Sequence, residues 1–148
     1  MKRIFLALMV LATVASCKKD KNDPSCEKSV AGIAASYKIT KATVAMTGFP
    51  ETDVTSSVFD ACDLNGVYQL KTDKTVIYTE TAVGCTGSGI GTWDVVAGNI
   101  TITFTTGTGT EFPNSATTTE ISGWDCNTLV LSEVPTAGQT FKYTFTKQ

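Results

Sequence analysis

The chain has 148 residues with 12 basic and 14 acidic side chains, a formal net charge of −2 and no histidine. That balance argues against nucleic-acid binding, which needs a basic face to neutralise phosphates. Without histidine, a serine or cysteine nucleophile lacks its usual base and imidazole metal sites are ruled out.

In chain order, the first segment bears on location. Lys2 and Arg3 precede an apolar run from Ile4 to Val14, followed by Ala15 and Ser16. A charged start, a short apolar stretch and small residues at a cut site predict a secretory signal peptide over 1–16. The run is too short for a spanning helix, which needs about 20 apolar residues. Val14-Ala15-Ser16-Cys17 resembles the lipobox of bacterial lipoproteins, whose cysteine is lipidated and becomes the first mature residue. That resemblance implies an outer membrane lipoprotein, on the periplasmic or cell-surface face, held to the membrane through Cys17. About 132 residues remain after cleavage, enough for one domain with a modest core. Removing Lys2 and Arg3 leaves the mature chain at a net charge of −4.

Residues 17–29 read as the lipidated cysteine and a flexible tether, polar and broken by Pro24. A sorting address is the second reading of that charged run. The domain is then 30–148. Val30 to Ala35 allows one helical turn, weakened by Gly32. Beyond it the chain is threonine-rich, without long runs of period 3.6. Short β-branched and aromatic segments alternate with turn residues, and predict eight strands at 36–46, 66–71, 75–81, 90–96, 99–105, 117–122, 128–133 and 140–146.

Period-2 alternation assigns faces. Ile100, Ile102 and Phe104 share one side of the fifth strand, and Phe141, Tyr143 and Phe145 one side of the last. Tyr68 goes with Leu70, Leu129 with Leu131, Trp93 with Val95, and Tyr37 with Ile39 until Lys41 interrupts. Val76-Ile77-Tyr78 breaks the pattern and predicts a strand covered on both sides. Short connections at 72–74, 97–99 and 135–138 fit antiparallel hairpins. Eight meandering strands with one apolar face close into an up-and-down β-barrel. An immunoglobulin-like sandwich is the alternative, with the long loop at 47–61 as its Greek-key crossover.

With Cys17 lipidated, Cys26, Cys62, Cys85 and Cys126 remain, an even number that fits two disulfides in three possible pairings. Cys62–Cys85 and Cys26–Cys126 are favoured: the first flanks two successive strands, and the second ties the domain's start to its far end. A metal site fits poorly, with no Cys-x-x-Cys spacing.

Cys62-Asp63, Gly66-Val67-Tyr68-Gln69-Leu70, Asp73-Lys74-Thr75, Cys85, Gly91-Thr92-Trp93 and the final Phe141-to-Lys147 strand together resemble the lipocalin-like domain lipoproteins of the Bacteroidetes group. The resemblance spans most of 36–147 and implies a lipocalin-like barrel. Lys74 stands where that pattern often has glycine. Gly-Thr-Trp lies on the fourth strand, whereas lipocalins proper carry Gly-x-Trp on the first.

Candidate chemistry is sparse. Gly87-Ser88-Gly89 lies in a turn and is no nucleophile elbow. Asp60, Asp63 and Asn65 are oxygen ligands of the kind calcium takes, without EF-hand spacing, while Asp60, Asp63 and Asp125, beside cysteines, read as turn-formers in loops. No enzyme activity, metal or cofactor is expected. The apolar face carries the functional expectation. Tyr37, Ile39, Tyr68, Leu70, Trp93, Phe104, Leu131 and Tyr143 either line a pocket for a small hydrophobic or amphipathic ligand or fill the barrel. In the filled case, loops around 47–60 and 106–115 would bind a protein or glycan partner.

Overall fold

The computed structural model describes residues 26–108 and 117–148. The signal segment, Cys17, the tether to residue 25 and residues 109–115 of one candidate loop lie outside those residues. The described chain is all-β with three short helices: α1 (Val30–Ile33), β1 (Ser36–Met46), β2 (Thr52–Asp53), α2 (Thr55–Val58), α3 (Ala61–Asn65), β3 (Val67–Leu70), β4 (Thr75–Thr79), β5 (Ser88–Val96), β6 (Asn99–Thr108), β7 (Thr117–Trp124), β8 (Thr128–Thr136) and β9 (Gln139–Lys147). The eight expected strands are present, with moved ends. A ninth, β2, lies in the segment read as a long loop.

From β3 to β9 each strand pairs antiparallel with the next, and β1 closes the sheet into a ring by pairing with both β3 and β9. Ser36 and Tyr37 face Gln69 and Tyr68, while residues 37–46 run along β9 from Lys147 to Gln139. The small β2 adds to β1 at Thr43 and Val44. The segment 47–61 therefore makes no Greek-key crossover, and the sandwich alternative is replaced by one continuous sheet.

Several sequence irregularities have local causes. A bulge in β1 between Ile39 and Lys41 resets the alternation, so Tyr37, Ile39, Ala42 and Val44 all turn inward while Thr40 and Lys41 are exposed. Lys74 takes φ 66°, the left-handed conformation that glycine adopts freely, and its ammonium reaches Asp94 at 2.8 Å. Strand β4 does alternate: Val76 and Tyr78 are buried, and Ile77 looks outward, partly covered beside Ile90. The two-sided cover expected for it is corrected. Gly91 sits at a bulge, where a Cβ would run into the backbone of Thr103 and Phe104. Gly91→Ala is expected to cost about 1–3 kcal/mol through overpacking, read as a lower melting temperature.

The ends of the ring differ. At one end α1 packs under the strands, with Ile33 fully buried and Ser29 capping the helix at Gly32 N. Tyr37 donates to Ile33 O at 2.6 Å, Lys28 Nζ donates to Ile121 O at 2.8 Å, and Cys26 is bonded to Cys126. Cys26 and Lys28, read from sequence as tether, are thus held by the domain. At the other end the 47–66 segment brings Phe59 onto Tyr143, ring centroids 6.0 Å apart, and the Cys62–Cys85 bridge ties it to the β4–β5 loop. Both favoured disulfides are present.

Candidate functional site

The inner wall collects the residues the sequence singled out. Tyr37, Ile39, Tyr68, Leu70, Trp93, Leu131 and Tyr143 are all buried in one apolar cluster, and Phe104 packs against it partly exposed. Tyr68 touches Tyr78 at a centroid distance of 4.6 Å and Phe145 at 5.6 Å, and Tyr78 meets Phe104 edge-on at 6.4 Å. Trp93 Nε1 donates to Lys71 O at 2.9 Å. Burial pushes the Tyr37 phenol up to about 12 and raises the Tyr68 phenol well above its ordinary value, so both remain neutral hydrogen-bonding groups at ordinary pH. The aromatics of β1, β3, β4 and β9 therefore fill much of the interior.

The inward row is broken by polarity at one place. On β8, Leu129 and Leu131 point inward, and Glu133 follows on the same parity, half-buried. It pairs with Phe141 on β9, next to inward-facing Tyr143. On β7, Thr119 is 1 % exposed and one step beyond the Glu120–Ser132 pair, which sets it opposite Glu133. Burial raises the Glu133 carboxyl above the usual glutamate range, with the nearby Thr119 hydroxyl opposing that shift. The hydroxyl nevertheless lies outside hydrogen-bond geometry, and its oxygen has no partner. A buried hydroxyl left unpaired costs about 1–3 kcal/mol, which marks this corner as a place where something polar fits.

Sequence reasoning passed over both residues. The signal was present: a charge on the apolar parity of 129 and 131, and a threonine on that of Ile121. Ending the expected strand at residue 133, where it runs on to Thr136, hid it.

The other candidates are committed elsewhere. Asp60 and Asp63, expected in a loop, stand at α3 with Asn65. Asp60 Oδ1 accepts from Cys62 N at 2.7 Å and Asp63 N at 3.0 Å, while Asp63 Oδ2 accepts from Asp60 N at 2.9 Å. This reciprocal cap uses the carboxylates to start the helix. Asn65 Nδ2 donates to Ala61 O at 2.8 Å. Cys62, Cys85 and Glu80 cluster closely, but the two sulfurs are bonded to one another and offer no thiolate.

No protein-family model, curated protein or solved structure matches this chain.

Proposed function

We propose that the protein is a lipid-anchored envelope component that takes a small amphipathic molecule into one end of a lipocalin-like barrel. The observation that carries this reading is the inward pair Phe104 and Phe141. Both pack on the core yet stay partly exposed, in contrast to the sealed Trp93 and Leu131. They offer apolar surface within a rigid wall, the usual lining of a small-molecule site. Lipidation at Cys17 places the α1 end toward the bilayer. The nine residues from Cys17 to Cys26 reach at most about 30 Å when extended, which keeps the α1 end within that distance of the membrane.

The test is titration of the purified lipoprotein, in phosphatidylcholine nanodiscs, with the neutral apolar dye Nile red. Saturable binding of one dye per chain, with a Kd on the order of 10 μM, is the expected result. Fluorescence no greater than that of empty discs would count against carriage.

A second reading, an interaction module, has its own observation. Among the described residues, the exposed large apolar side chains Met46, Phe49, Val58, Val83, Ile90 and Val134 all lie on strand ends, loops or α2 toward the end away from α1. Only Val96 lies toward the other end. Apolar groups gathered at one end suit contact with a protein partner. Loss of partner capture on Phe49→Ser with Val83→Ser, without loss of dye binding, would favour it.

A further inference from the structure

We propose that Glu133 and Thr119 form the polar end of the ligand site and that the ligand's head group is a primary ammonium on an apolar chain. This inference rests on the carriage reading above and names the ligand class.

The inner wall sets the requirement. Glu133 brings a carboxylate into a row bordered by Phe141 and Tyr143, and Thr119 brings a buried hydroxyl with no partner. A carboxylate only accepts hydrogen bonds, and a hydroxyl accepts as readily as it donates. Among the described residues no ion pair includes Glu133: the pairs are Lys74–Asp94 and Lys142–Glu51, both on the outside, and Lys28 is engaged at Ile121 O. An anionic head would be repelled, and a neutral one would leave the charge uncompensated. An ammonium carries three donors on one compact charge, enough for Glu133 and for Thr119 Oγ1. Phe141, paired with Glu133 across the strands and partly exposed, then offers apolar surface for the chain.

Binding of this kind is pH-dependent with a definite sign. The ammonium needs the ionised carboxylate, so affinity climbs as pH rises through the raised Glu133 pKa and falls below it. From β9 the group facing Glu133 is the Tyr143 phenol, pushed up to about 12 by burial and then by Glu133 itself, and it stays neutral across the range. Lys142, also on β9, turns outward to Glu51. From β7, Thr119 does not titrate and Glu120 is exposed on the outer face.

The experiment is displacement of Nile red from the full lipoprotein in nanodiscs by dodecylamine, dodecanol and dodecanoate. At pH 8, dodecylamine should compete at about tenfold lower concentration than dodecanol, as a charge-assisted hydrogen bond warrants. Glu133→Gln should erase that advantage, so that dodecylamine then ranks with dodecanol. Thr119→Val, which keeps the shape, should reduce it in part and reads the same site if the glutamine variant does not fold. Lysophosphatidylethanolamine runs beside them. Competition that depends on Glu133 identifies a lipid head group as the source, and competition by dodecylamine alone identifies a free amine. If the dye binds but dodecylamine ranks with dodecanol, the pair holds only a water and the ammonium assignment is overturned, while carriage stands. If the dye itself does not bind, carriage and this inference fall together.

Discussion

Replacing Cys26 and Cys126 together by serine is expected to cost about 4.7 kcal/mol, and replacing Cys62 and Cys85 together about 3.4 kcal/mol, from loop-closure entropy alone. The ordering follows from the closed loops: the first bridge spans 100 residues and the second 23. The larger loop also has the larger structural consequence. Cys26 precedes α1, and Cys126 sits in the β7–β8 turn at φ 78°, a turn shaped by Asp125 Oδ1 accepting from Asn127 N at 3.0 Å and Thr128 N at 2.6 Å. Cutting the bridge leaves α1 held by Tyr37, Lys28 and the burial of Ile33. A domain of this size has only about 5–15 kcal/mol in hand, so the first variant should approach half-unfolded at modest urea. Urea denaturation of both double variants checks it. Equal losses, or a larger loss for the 62–85 pair, would show that native contacts rather than chain entropy set the effect.

How much of this was legible in the sequence depends on the element. Strands β6 and β9 declare themselves because one face is apolar and the other is largely threonine or lysine. Closure was also legible, since sequential hairpins with a single apolar face need a continuous interior. The stretch from Thr52 to Asn65 was not. Helix α2 is four residues of threonine, serine and valine, poor helix formers, and tertiary contacts hold it. Thr55 Oγ1 accepts from Ala42 N at 2.9 Å and also meets Asp53 Oδ1 at 2.7 Å. Such bonds depend on where β1 lies, which no local pattern records. The bulge at Ile39–Lys41 was visible as a break in alternation, but its meaning required the partner strand. For the candidate site, period 2 found the aromatic wall and missed the polar pair. The parity that made Leu129 and Leu131 inward also made Glu133 inward, once the strand was known to run on to Thr136.

Trp93→Ala is expected to destabilise the protein by about 3–5 kcal/mol, and Trp93→Phe by about 1–2 kcal/mol. The indole is 2 % exposed, lies opposite Ile102 across β5 and β6, and donates to Lys71 O at 2.9 Å. Alanine removes the whole ring and leaves a void whose lining loses its contacts, at about 24 cal/mol per Å³ that does not collapse. Phenylalanine keeps most of the volume and loses one donor. Lys71 O is not orphaned by that change, because Lys74 N also donates to it at 3.0 Å, which is why the smaller figure applies. Urea denaturation of the two variants separates packing from hydrogen bonding. It also bears on the interior itself: a loss below about 1 kcal/mol for the alanine variant is the size seen at exposed positions. That result would place Trp93 beside open space and move the ligand site deeper than Phe104 and Phe141. A loss in the expected range keeps that part of the ring a packed core and confines any ligand to the end where Glu133 and Thr119 lie.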